Sequence, residues 1–181
     1  PITPPIKVSR ASMGQVSSFD WSPAFGVYRR IVESHAGVSI DASNFFDIAK
    51  SYPLGLLKVD GEMVVRDPYR VEGDTLYVVD DIPEGEYVCV MHGDTPSLLE
   101  GAQLARRGVE QELGHALAVG GDLFCIDCIS RVLYMQDDFS EELRNIKGKQ
   151  QLYGALTIGE IASAGSSYLE IYNKTLVVAK W

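Results

Sequence analysis

No apolar run in these 181 residues approaches the ~20 needed to carry a helix across a membrane, so a helical span is excluded. Positive charge is also scarce. Sixteen Lys and Arg face twenty-five Asp and Glu, a formal charge of −9, which leaves no basic surface for a phosphate backbone and excludes a nucleic-acid partner. Cysteine numbers only three, an odd count too low for a disulfide framework. Free thiols in a reducing, cytoplasmic compartment are therefore expected. Of three histidines, only His92 and His115 are candidates for a catalytic base, and neither stands in a recognisable catalytic pattern. There is no repeat, low-complexity tract or signal peptide. The sequence opens at Pro1 rather than Met, with Pro4-Pro5 suited to a linker, so it reads as a piece of a longer chain.

What remains is an ordinary globular composition, 46% hydrophobic and 23% charged, long enough for a core as one domain or two tightly joined lobes. Ile6–Arg10 alternates like a half-buried strand. Ser22-Pro23 reads as N-cap and first helical position, opening a helix with Ala24, Tyr28, Ile31, Val32 and His35 on one face and a stop at Gly37. Residues 40–51 add a short helix. Strands are expected over 54–59, 62–71, 75–79 and 87–91, with turns at Asp60-Gly61, Gly73-Asp74 and Pro83-Glu84-Gly85. Thr95-Pro96 opens the longest helix, running to about Gly114, with Gly101 and Gly108 set for close packing. After a turn at Gly120-Gly121-Asp122, residues 123–127 suit a central strand. A capping box from Asp138 to Glu141 starts a helix with Phe139, Leu143 and Ile146 on its face and an end at Gly148. Strands over 152–158, 168–172 and 175–179 follow, with a small-residue loop over Ser163–Ser167. The last two strands form either one long strand or a hairpin about Asn173-Lys174. This order predicts an α+β fold with a largely antiparallel sheet flanked by helices.

Four stretches carry candidate chemistry. In Phe124-Cys-Ile-Asp-Cys-Ile-Ser-Arg131, the Cys-x-x-Cys spacing invites redox and metal readings. Residues three apart on a strand face opposite ways, however, which argues against a redox pair and against a zinc site shared with Cys89 and His92. Cys89 and Cys125 are expected as buried packing residues. Cys128 falls where the strand should end. Arg131 offers a planar fork for a carboxylate or phosphate, with pairing to Asp127 or Glu160 as the structural alternative. In Tyr153-Gly-Ala-Leu-Thr-Ile-Gly-Glu-Ile-Ala162, Gly159 marks a bulge or close approach, and Glu160 is a carboxylate that needs a partner. Asn173 and Thr175 would be polar groups set in an apolar face. Arg66 precedes a proline-interrupted strand in Val65-Arg-Asp-Pro68 and could reach a ligand.

In order and spacing, the Cys-x-x-Arg, Gly-Glu-Ile and Asn-x-Thr elements resemble the C-terminal domain of the FIST family, a sensory module of signalling proteins and of some F-box proteins. The resemblance implies a single domain over 1–181 that follows an N-terminal FIST domain and senses small, amino-acid-like metabolites for a signalling output. No catalysis, cofactor or metal is implied. Glu160 would accept from a ligand ammonium at an open pocket and Arg131 would bind its carboxylate, with Cys128, Gly159, Asn173, Thr175 and Arg66 around them. A protein-interaction module is the alternative. A cysteine-dependent enzyme is a third reading, and it needs a base beside Cys128.

Overall fold

The computed structural model describes residues 1–58, 63–113, 121–163 and 169–180. The expected Asp60-Gly61 turn, the helix end at Gly114, His115 and most of the Ser163–Ser167 loop lie outside them. The chain divides into two compact units, Pro1–Gly93 and Asp94–Trp181. Helix and strand are both abundant and the larger sheet is antiparallel throughout, so the class is α+β.

The first unit contains β1 (Ile6–Ser12), β2 (Gln15–Phe19), β3 (Ser22–Pro23), α1 (Ala24–Ala36), α2 (Phe45–Ala49), β4 (Leu54–Leu57), β5 (Met63–Arg66), β6 (Pro68–Glu72), β7 (Thr75–Val78) and β8 (Tyr87–Val90). Its sheet runs β5-β4-β8-β1-β2-β7-β6, with β3 on β2. Residues 62–71 were expected as one strand. The described part, from Met63, forms two, because Pro68 lacks the N–H a continuous ladder needs. Asp67 alone separates β5 from β6, which lie at opposite ends of the sheet, so the sheet must curl until those ends meet.

The β2 strand was not expected. Met13 and Gly14, both at positive φ, turn β1 back on it, and Gly14 was the available signal. β2 in turn holds Ser22 and Pro23 extended, so α1 starts at Ala24 with Pro23 at its N-cap and no side-chain cap. The helix stops as expected at Gly37, whose φ of 70° only glycine adopts without strain. Val8, Val16, Tyr28, Leu54, Leu76 and Val88 fill this unit's core, and Tyr28 satisfies its hydroxyl on the Tyr52 carbonyl at 2.7 Å.

The second unit contains α3 (Thr95–Leu113), β9 (Leu123–Cys128), α4 (Ile129–Met135), α5 (Phe139–Lys147), β10 (Leu152–Thr157), β11 (Glu160–Ala162), β12 (Glu170–Tyr172) and β13 (Leu176–Lys180). β9 is the central strand, parallel to β10 and antiparallel to β13. Ala102 of α3, Cys125 of β9 and Ile146 of α5 form the core between helices and sheet. Gly101 and Gly108 do not serve close packing, since a Cβ at either would meet open space. Gly154 does serve it, because a Cβ there would collide with the Cys125 carbonyl across the parallel ladder. α5 spans the expected residues, but a 3-10 turn over Gln136–Asp138 runs straight into it, so Asp138 is already helical and caps nothing. The last strands are neither one strand nor a hairpin. Lys174, at φ 57°, breaks the chain so that β12 pairs with β11 and β13 with β9.

Candidate functional site

Backbone register brings the candidate residues of the second unit together at the carboxyl end of β9. Cys128 is the last residue of that strand, and Thr157 lies opposite it on β10. The chain then turns through Gly159, at φ 85°, where an added Cβ would press within 3.1 Å of Asn173 Nδ2 and Ile171. Glycine is required there both for backbone conformation and for space. The turn delivers Glu160 to the start of β11, opposite Tyr172. Thr175 closes the group by accepting the Cys128 N–H on its carbonyl at 3.1 Å, and its hydroxyl donates to the Asn173 carbonyl at 3.0 Å.

Glu160 does not face an open pocket as the sequence suggested. It is 1% exposed, and its Oε1 accepts from the Thr157 hydroxyl at 2.8 Å. Burial raises its pKa to about 7, against the Thr157 hydroxyl, the Cys128 thiol and the Thr175 amide, which all favour the carboxylate. Cys128 is buried too, and its sulfur accepts from the Ser130 hydroxyl at 3.2 Å.

Arg131 projects from α4 into a second set of carboxylates. Its Nε stands 3.4 Å from Asp127 Oδ1, and one Nη pairs with Glu142 of α5. The Leu98 and Lys174 carbonyls accept from the remaining guanidinium N–H groups at 3.0 and 3.2 Å. No ion pair joins Arg131 to Glu160 among the described residues. Of the two expected partners, Asp127 is the one in place, and the fork is held by protein acceptors. Glu142, fully buried, was missed. The signal was its place in the stripe Phe139, Glu142, Leu143, Ile146, where a carboxylate on an apolar helix face demands a cation.

Asp127 is 2% exposed, and burial raises its pKa to about 6 despite the Arg131 guanidinium. Cys125, one residue pair back on the same face, is pushed up to about 12 by burial and by the Asp127 charge, so it stays a neutral thiol. Beside both lies an open recess of about 270 Å³ between α5 and β10, lined by Cys125, Asp127, Phe139, Leu143 and residues 152–156.

Arg66 belongs to the first unit. It is buried there, with Nη2 3.1 Å from Asp80 Oδ2 and its Nε donating to the Asp81 carbonyl at 3.2 Å. Cys89 and His92 belong to that unit as well, whereas Cys125 and Cys128 belong to the second. Among the described residues no group of three or more His, Cys, Asp or Glu could hold a metal ion.

The fold and the paired carboxylates define an α+β module with a buried acidic cluster at a strand end. The family model of the FIST C domain matches residues 24–163, well over half of the chain. The chain belongs to the FIST C domain family, which is associated with signal-transduction sensory domains. The matched range includes Arg66, Cys128, Arg131, Gly159 and Glu160, while Asn173 and Thr175 lie beyond it. No curated protein and no solved structure gives a significant match.

Proposed function

We propose that this chain is a small-molecule-sensing module of signal transduction, with amino-acid-like metabolites as its ligand class. One observation carries the reading: Asp127 belongs both to the buried cluster with Arg131 and Glu142 and to the wall of the open recess beside α5. A ligand in that recess would change the balance of charges around Arg131, and so the packing of α4 and α5 that hold it. Glu160, Cys128, Gly159, Asn173 and Thr175 form the neighbouring part of the site, with Glu160 at the turn between β10 and β11. The output partner and an upstream FIST domain belong to the same proposal. A thermal-shift screen of metabolites tests it. A ligand whose stabilisation saturates and is abolished by Leu143→Trp, which fills the recess, would support the reading. Saturable ligands that all survive Leu143→Trp would place sensing elsewhere.

A second reading, a protein-interaction module, is favoured by the exposed apolar side chains Leu156, Ile158, Ile161 and Leu169 on or beside β10 to β12. The double variant Ile158→Asp, Ile161→Asp separates the two. It should leave ligand response intact if sensing is correct and abolish partner binding if docking is.

A further inference from the structure

We infer that the recess between α5 and β10 takes a small organic amine, with its apolar body against Phe139, Leu143 and Leu156 and its ammonium on Asp127. The inference rests on the sensing function proposed above and narrows its ligand class to amines that carry no free carboxylate.

Size comes first. At about 270 Å³ the recess falls just below the roughly 300–1,000 Å³ of drug-sized pockets, so it suits a small molecule. Its lining is mostly apolar, with Asp127 its one charged residue and Tyr153 its one hydroxyl-bearing residue. A molecule that fits must therefore be mostly hydrocarbon, with any charged group directed to Asp127.

The state of Asp127 then fixes the polar group. The side chain is 2% exposed, and apart from the Cys128 backbone N–H, which favours its charged form while donating to the Thr175 carbonyl, neither carboxylate oxygen has a hydrogen-bond donor among the described residues. Arg131 Nε at 3.4 Å from Oδ1 is an ion pair too long for a hydrogen bond. Oδ2 likewise makes no side-chain hydrogen bond among the described residues. Buried carboxylates are ordinarily satisfied, so one short of donors on the wall of an open recess is completed by a donor from outside.

Charge decides among the donors. Arg131 is shared between Asp127 and Glu142, one guanidinium against two carboxylates. A ligand carboxylate would add a third negative charge where desolvation already disfavours two. An alcohol could donate but would leave the excess charge in place. An ammonium does both, with a charge-assisted bond about twice as strong as a neutral one.

The test uses three probes of equal length, n-hexylamine, n-hexanol and n-hexanoate, titrated into the whole protein at pH 8 and followed by calorimetry and amide chemical shifts. Hexylamine is expected to bind at least about tenfold more tightly than hexanol, the equivalent of one charge-assisted bond, and hexanoate to bind least. Asp127→Asn should remove that preference, bringing hexylamine affinity down to that of hexanol or below. Should Asp127→Asn fail to fold, Leu143→Trp, at a partly exposed position of α5, must abolish hexylamine binding and the shifts of residues 152–156. Hexanol binding as tightly as hexylamine, hexylamine indifferent to Asp127→Asn, or no binding by any of the three would overturn the amine assignment. None of these results would touch the sensing function, which falls only if no metabolite ligand depends on the recess.

Discussion

The Thr157 hydroxyl donates to Glu160 Oε1 at 2.8 Å across the turn that joins β10 to β11. This bond supports the ionised form of a carboxyl group that burial otherwise drives towards protonation, and it lies opposite Cys128 in the sheet register. Thr157→Val keeps the shape and removes the donor. The Glu160 pKa should rise above its value of about 7, and stability should fall by about 1 kcal/mol at pH 8, with a smaller loss at pH 5. Carbon-detected NMR titration of the Glu160 carboxyl, beside urea denaturation at the two pH values, checks both parts. An unchanged pKa would show that the hydroxyl does not govern this group.

The two raised carboxyl groups set a pH dependence of definite sign. Asp127, at about 6, and Glu160, at about 7, both bind a proton more tightly in the folded chain than in the unfolded one, where ordinary values are about 4. The native state therefore holds more protons through this window, and stability must fall as pH rises from about 4 through 7. Below about 4 both groups are protonated folded and unfolded, and their contribution no longer changes. Glu160→Gln should flatten the decline by roughly 1–3 kcal/mol between pH 5 and 8. A denaturation series in the two proteins measures it, and parallel curves would refute the assignment to Glu160.

Arg131 with Glu142 behaves as a buried pair in which neither group tolerates loss of the other. Glu142→Gln leaves the guanidinium with only Asp127 as counter-charge, and Arg131→Met leaves two buried carboxylates. Either change should cost about 3–5 kcal/mol, whereas the double variant Arg131→Met, Glu142→Leu should cost much less than the sum. Equilibrium unfolding of the three variants gives the coupling directly. Additive losses would mean that the pair is not a unit.

Thiol reactivity should follow burial. Cys89, Cys125 and Cys128 are all free and buried, and Cys125 has its pKa pushed up to about 12. Native protein should react slowly with an aromatic disulfide reagent, and denatured protein should release three equivalents at once. A single fast native thiol at Cys128 would revive the cysteine-enzyme reading, with Glu160 as the neighbouring base.

The sequence by itself determined the class of fold and most of its elements, because periodicity, proline and glycine act locally. Gly37 stops α1, Thr95 opens α3, and the apolar run over Leu123–Cys128 becomes the central strand. It also singled out Arg131 and Glu160 as charged groups in need of partners, since polar groups in apolar runs require them. Which partners they have was decided only by tertiary structure. Arg131 meets Glu142 eleven residues away because α4 and α5 pack against each other, and Glu160 is buried where Gly159 turns the chain into the β11–β12 pair. The break at Lys174 sends β12 and β13 to different sheets, and Arg66 belongs to another compact unit altogether. Pairing of this kind depends on where distant segments pack, and a local pattern of residues cannot encode it.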